Sequence, residues 1–585
     1  MPYVLVSDFK SGMDRRRQRV AGEPGALWSL KNGHLTRGGE IEGPKQFVQK
    51  YQLPAGETFG LYALDDAVYV FGSLASPTIP SGVTYVQLEH PDGLYAMTDV
   101  LDVQPFDGKL YVIAEFANGS VYHFYDGVLV TDWYAGRVRS SMSSNNDIAT
   151  MLGDLIDADG EYTVSVSTNV VTITGPAVNV SFTVGTYTED GGGTDDQTLV
   201  AATTQAATVS LPQISTVTVG GTFQVGDKFS VKLTKSGTVK VFGAEAQPIP
   251  VATMALTFKS KMHAAGGTNV NFSAVNDATA WNRDATANAG AGFINASNQD
   301  EGAKTVTALE VYQGQLAIFA RKSIQIWAID ADPDANAYLQ TLRRTGTPAR
   351  HSVASYGNND VFYLDGSTGI RSIKARDSSN AAYVSDVGTA IDPFVQDYIA
   401  TLTADELSGA YAAIEPKDGR YWLAVKDRIF VFSYFPGSKI SAWSYYEPGF
   451  TVDAMSSDGD KLWLRSGDSI YLYGGDDGTD YPDTDELETV AELMFLSAGK
   501  PATKKTWEGF DAAVVNDWSV GILPNPNDET QEIDFGTVSR ITYSDMRGKF
   551  EIPTTHIAVK MSCARAGVRR ISNVAVHYES EHEDG

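Results

Sequence analysis

The densest run of cationic side chains in the sequence is Arg15-Arg16-Arg17-Gln18-Arg19, and the densest run of carboxylates is Asp476, Asp477, Asp480, Asp483 and Asp485. Clustered guanidiniums grip phosphates or an acidic neighbour, because each presents a planar fork of donors that stays charged at any physiological pH. Arg15, Arg16, Arg17 and Arg19 are therefore candidates for contact with another subunit or with DNA. Carboxylates on a flexible loop can hold a hard cation such as calcium, which takes about six to eight oxygen ligands. Asp476, Asp477, Asp480 and Asp483 qualify as metal candidates by residue type. Their spacing lacks the alternate acids and the terminal glutamate of a dedicated calcium loop, so a solvated acidic linker is the stronger expectation.

Signatures of catalysis are missing from the sequence. It has no His-Glu-x-x-His pair for zinc, no Gly-x-Ser-x-Gly elbow and no phosphate loop ending in Gly-Lys-Ser/Thr. The 8 histidines are scattered without ligand spacing. Ser457-Asp458-Gly459-Asp460-Lys461-Leu462-Trp463 is similar to the Asp-box turn of some glycoside hydrolase propellers, where such turns are structural. The expectation is a chain that is not an enzyme and needs no cofactor and no metal. A carbohydrate-binding or glycan-degrading protein is the alternative.

Composition narrows the partners. Against 45 Lys and Arg stand 72 Asp and Glu, a net charge of −27 on 585 residues. A protein that grips DNA over a broad face needs the opposite balance, since affinity comes from cations that replace the counterions of the phosphates. The single cysteine, Cys563, cannot close an intrachain disulfide, which fits folding in a reducing cytoplasm. The opening Met1-Pro2-Tyr3-Val4-Leu5-Val6 turns polar at Ser7, too short a run for a signal-peptide core. No stretch offers the roughly 20 apolar residues of a spanning helix, so no membrane insertion is expected.

The elements that must carry these residues are strands. A polar turn followed by an aromatic-rich strand recurs at Asp65-Asp66, Asp107-Gly108, Gln313-Gly314, Asn359-Asp360, Asp418-Gly419 and Asp458-Gly459. Such dipeptides suit tight hairpins whose central residues take positive φ. Apart from one long gap in the middle, the turns return at intervals close to the length of a four-stranded propeller blade. The expected fold is mainly β: a β-propeller of about six blades, split into 56–139 and 246–480. An N-terminal segment, 1–55, packs on it. Between the halves, 140–245 reads as an inserted antiparallel β-domain with one short helix. Its helix shows in Ile148, Met151, Leu152, Leu155 and Ile156, and its strands in the alternation of Tyr162, Val164 and Val166 and of Val178, Val180, Phe182 and Val184. The Thr/Asn/Ala/Gly-rich run from about 266 to 301 reads as a long loop. The acidic breaker from Gly474 to Asp483 opens a C-terminal β-rich region, 481–585, with a mobile acidic tail from Glu579.

Several blocks resemble one family. Asp8-Phe9-Lys10-Ser11-Gly12-Met13-Asp14-Arg15-Arg16, Pro24 to Gly33 and Thr36 to Ile41 are similar to the opening of bacteriophage tail nozzle proteins, also called tail tubular protein B. The likeness returns at Phe272 to Asp277, at Thr307 to Tyr312 with Ile326-Trp327, at Gly499 to Trp507 and at Arg569 to Tyr578. The resemblance implies a structural virion protein forming a six-subunit ring, a homo-hexamer, at the distal end of a short tail. It implies docking to an adaptor or head–tail connector ring and attachment of tail fibres or spikes nearby. Double-stranded DNA would be retained in the channel and then ejected through it into the host, without sequence-specific binding. The chain would be assembled in the host cytoplasm and reside in the virion. A baseplate or hub component of a longer tail is a further alternative.

Overall fold

The structure is a computed structural model. It describes the chain apart from residues 1, 91–92, 94, 131–143, 190–196, 223–226, 237, 246–251, 282–288, 300–303, 358–359, 380–385, 544–547 and 581–585. Asn359 of one repeat turn and the acidic tail from residue 581 thus lie outside the described residues. So do residue 140, where the insert is expected to start, and residue 246, where the propeller is expected to resume. The chain divides into two units, Met1–Gly136 with Ala252–Gly585, and Arg137–Val251. Both are mainly β.

Among its described residues, the first unit holds seven small sheets in succession. Sheet one is Phe59–Leu64, Ala67–Gly72 and Val83–Gln87, and sheet two is Met97–Phe106, Lys109–Phe116, Val121–Tyr125 and Val128–Leu129. Sheet three is Met254–Phe258, Lys261–Gly266, Asn269–Phe272 and Gly292–Asn295, and sheet four is Val306–Tyr312, Gln315–Ala320, Ser323–Ala328 and Ala337–Arg343. Sheet five is Ala354–Tyr356, Asp360–Asp365 and Gly369–Ser372. Sheet six is Tyr411–Glu415, Arg420–Val425, Arg428–Phe435 and Ile440–Tyr446. Sheet seven is Ala454–Asp458, Lys461–Ser466 and Ser469–Tyr473, completed by Phe47–Gln52 from far upstream. The first strand of each sheet lies beside the first strand of the next, and that of sheet seven lies beside that of sheet one, so the succession closes on itself.

The count is seven where the sequence pattern showed six. Sheet three escaped because its hairpin turns at Lys259-Ser260, with φ of 49° and 57° on two residues that carry a Cβ. Its register pairs Phe258 with Lys261, the same two-residue loop that Asp107-Gly108 makes between Phe106 and Lys109. Two strands of that sheet, Asn269–Phe272 and Gly292–Asn295, lie in the stretch expected to be a loop.

Sheet six does not stop at four strands. Its edge runs parallel to Leu27–Lys31 through Lys31 and Tyr445, and the sheet continues through Thr489–Leu493, Ala558–Cys563, Trp518–Leu523 and Ile533–Val538. A second sheet joins Tyr3–Val6, His34–Leu35 and Ile41–Glu42 to Arg570–Ser580, Lys505–Val515 and Gly548–Thr554. Trp507 and Phe510 of this sheet share one apolar core with Trp518, Val520 and Met561 of the other and with Phe9, Leu27 and Leu30. The expected C-terminal region is therefore not separate. Strands from both ends of the chain are built into one double-sheet module, and its core is continuous with that of sheets five and six.

Among its described residues, the second unit has one helix, α1 (Asn145–Ala158), capped by Ser144, whose Oγ accepts from the Asp147 N–H. The predicted stripe is buried at Ile148, Met151, Leu152 and Ile156 and half-buried at Leu155. It packs on two sheets whose inward residues include Val171, Ile173, Val217, Phe229 and Val231. The strands Thr198–Gln205 and Pro212–Gly220 come from a Thr/Ala-rich stretch in which alternation was masked by small polar residues.

Candidate functional site

The arginine run is divided by its surroundings. The Arg15 guanidinium lies 3.6 Å from the centroid of Trp28 and 5.5 Å from that of Phe394, and its Nη1 donates to the Trp28 carbonyl. Arg19 is buried: Nε donates to the Leu493 carbonyl at 3.0 Å, and Nη1 lies 2.9 Å from Glu529 and 3.4 Å from Glu492. Both side chains are committed within the fold. Arg16 forks onto Asp14, Nε to Oδ1 at 2.9 Å and Nη2 to Oδ2 at 2.6 Å, with more than half of its side chain in solvent. Burial pushes the Asp14 carboxyl up, but the Arg16 hydrogen bonds outweigh it and hold the group below its ordinary value. Arg17 is exposed. Arg16 and Arg17 are thus the members of the run that face solvent.

The acidic stretch is not gathered into a site. Asp476 pairs with Lys50 at 2.8 Å, the Asp477 carbonyl accepts from Lys417, Asp483 accepts from the Gln46 amide, and Asp485 pairs with Arg565. Asp480 is held through its backbone, which bonds to Gly474 and Gln46. Among the described residues, no group of three or more His, Cys, Asp or Glu side chains is placed to hold a metal ion. Among the same residues, no helix is long and apolar enough to cross a membrane.

A buried ionic clamp that the sequence did not advertise joins three distant segments. Glu42, 6 % exposed, accepts from Arg570 Nε at 3.0 Å and from the Tyr481 hydroxyl at 2.8 Å. Beside it, His34 is sealed and held neutral by burial, its Nδ1 2.8 Å from the Tyr446 hydroxyl. His577 Nε2 lies 2.7 Å from Asp511 within the same module.

Titratable groups also line a cavity of about 480 Å³ within the ring of sheets. Its walls come from the first strands of sheets one, two, six and seven, from the short helix Ala404–Ser408, from Arg465, Gly467 and Asp468 on the second strand of sheet seven and the turn after it, and from the 3-10 turn Arg350–Ser352 that precedes sheet five. Asp102 sits in its wall, 8 % exposed, accepting from the Ala255 N–H at 2.8 Å and so tying sheet two to sheet three. Burial raises its carboxyl to about 6. Sequence reasoning missed this cavity because its residues share no motif. Asp99, Arg350, Asp405 and Asp453 also stand at no common position relative to the first strands of their repeats, so no spacing signal marks them.

No family model matches the chain, and no curated protein does. A solved structure similar to it is that of an exo-beta-1,3-galactanase from Phanerochaete chrysosporium with galactose, at 8 % identity over 86 % of this chain and 99 % of that one. The galactanase is an enzyme, and on that match the expectation of a chain that is not an enzyme is withdrawn; at a TM-score of 0.17 the likeness carries no argument for any particular activity.

Proposed function

We propose that the chain is a subunit of a bacteriophage tail nozzle of the tail tubular protein B kind, a ring-forming channel at the end of a short tail. In this reading the succession of seven sheets is a β-propeller, supported by its cyclic closure and its two-residue hairpins. The single observation that carries the functional reading is the convergence of the resembling blocks. Phe9, Met13, Leu27 and Leu30 from the opening, Trp507 from a late block and Ile571, Val574 and Val576 from the closing one all enter one core, although they stand at opposite ends of the sequence. The opening, late and closing blocks thus build one module, while the middle blocks contribute to the cores of sheets three and four.

The double-sheet module then serves as the platform on which adaptor and fibres dock, with Arg16 and Arg17 at its surface. The net charge of −27 suits a channel wall from which DNA slides freely, because an acidic wall releases no counterions on contact. Electron microscopy of the purified full-length chain tests the reading. The expected result is a ring of six copies around an open pore. A chain that stays a monodisperse monomer on concentration, with no ring on any grid, sinks it.

A further inference from the structure

Opposite charges that pair inside a protein hold its fold. Charges that line a cavity without pairing are open to something from outside. The cavity among sheets one, two, six and seven is of the second kind. Asp99, Asp102, Asp405, Asp453 and Asp468 line it together with Arg350 and Arg465. Among the described residues, neither guanidinium forms an ion pair with any of the five carboxylates. Arg465 is drawn electrostatically to Asp468, Asp453 and Asp99, yet its hydrogen bonds go to the carbonyls of Gly60, Thr58 and Gly467.

What remains on offer is mixed in character. Asp453 accepts from the Gly467 N–H at 2.6 Å and Asp468 from the Gly56 N–H at 3.3 Å, each through one oxygen, leaving the other as a free acceptor. Arg350 donates through Nη1 to the Thr253 carbonyl at 2.6 Å and keeps Nη2 and Nε as donors. His351 faces the Leu101 carbonyl through Nε2 at 3.1 Å, which places the ring hydrogen there and a lone pair on Nδ1. That ring stacks on Tyr411, centroids 4.5 Å apart and planes 12° from parallel.

We propose that this cavity is a saccharide-binding site, sized for one or two pyranose rings of a surface glycan. A sugar hydroxyl donates and accepts at once, so it suits a wall that sets carboxylate and imidazole acceptors beside a guanidinium donor. An organic cation meets Arg350 and Arg465 and an anion meets five carboxylates, while Phe59, Leu61 and Val100 supply apolar wall against which the C–H face of a sugar ring can pack. A volume of about 480 Å³ falls in the range of small-ligand pockets. The proposal goes beyond the nozzle reading and does not depend on it, since it concerns one chain's interior and not its assembly.

The test applies the full-length chain to a printed array of bacterial and plant surface glycans, and then titrates the strongest responder by calorimetry. Hydrogen exchange with that glycan is expected to protect residues 97–106 and 350–356. Asp99→Asn and Asp453→Asn, both at exposed side chains, are expected to weaken binding at least tenfold each with an unchanged melting temperature. Absence of any responder overturns the proposal. So does protection that maps elsewhere, and so does unaltered affinity in both variants. Spermidine is the control cation, and its saturable binding in the same cavity without any glycan response likewise overturns it.

Discussion

The double-sheet module and the ring cavity are both rich in charge, and they use it in opposite ways. In the module Arg19 meets Glu529 and Glu492, Glu42 meets Arg570, and His577 meets Asp511. In the cavity five aspartates and two arginines face one space, and among the described residues none of them pairs with another. The difference teaches how to tell construction from function in a chain of this charge. A buried ion whose partner lies within reach is part of the scaffold, because separating the two strands a charge in low dielectric. A half-exposed carboxylate with a vacant oxygen costs the fold little, and its removal shows only when a ligand is present.

The largest effect is expected at the module's core. Trp507 is fully buried where three blocks of sequence meet, and Trp507→Ala is expected to cost about 3–5 kcal/mol, read as a lower urea midpoint. Removing a scaffold charge comes next: Arg19→Ala deletes a buried guanidinium with its bonds to the Leu493 carbonyl and Glu529, and is expected to cost about 1–3 kcal/mol. A loss under about 0.5 kcal/mol would erase the contrast by placing Arg19 with the dispensable surface charges.

Asp102 sharpens the contrast because it belongs to the cavity wall yet is buried. It is surrounded by Arg350, Glu310, Tyr62 and Tyr411. Its folded value of about 6 lies above the ordinary 3.8, so the folded chain binds a proton that the unfolded chain gives up, and acidification from pH 6 to 4 favours folding at this site. Asp102→Asn removes that dependence. The variant is expected to be more stable than the parent at pH 8 by about 1–2 kcal/mol, with the gap closing toward pH 4. His123 and His263 act with the opposite sign. Burial lowers them to about 3 and about 4, so their contribution is full above pH 6.5 and is lost as pH falls toward those values. Thermal melts from pH 8 to pH 4 of parent and variant read both effects. The smallest effect expected is that of Asp453→Asn on stability, within about 0.5 kcal/mol in the absence of glycan.

Much of this architecture was legible because strands advertise themselves. Six of the seven hairpins announced their turns with Asp, Asn or Gly, residues that suit tight loops, and α1 announced its buried stripe at helical spacing. Sheet three stayed hidden because Lys259 and Ser260 adopt the same turn without being residues that favour it. The 481–585 region looked separate because an acidic breaker precedes it, yet its strands pair with Leu27–Lys31 and Tyr3–Val6 across nearly the whole sequence. Long-range pairing leaves no local trace. The same reason hid the sites. Arg15 and Arg19 look alike in a basic run, and only the fold separates them from Arg16 and Arg17; the cavity's charges come from distant places in the chain.

Sheet seven has a consequence for synthesis. Its outer strand, Phe47–Gln52, leaves the ribosome about four hundred residues ahead of its partner, Ser469–Tyr473. At roughly 5–20 residues per second, the early strand waits about 20–80 s for that partner. Throughout that interval an aromatic-bearing strand, with Phe47 and Tyr51 along it, has an unpaired edge, the feature that recruits neighbouring chains. The ring closes only once Ser469–Tyr473 has been made, and the Tyr3–Val6 strand waits longer still for Arg570–Ser580. Slower translation or greater nascent-chain crowding is then expected to lower the yield of closed rings.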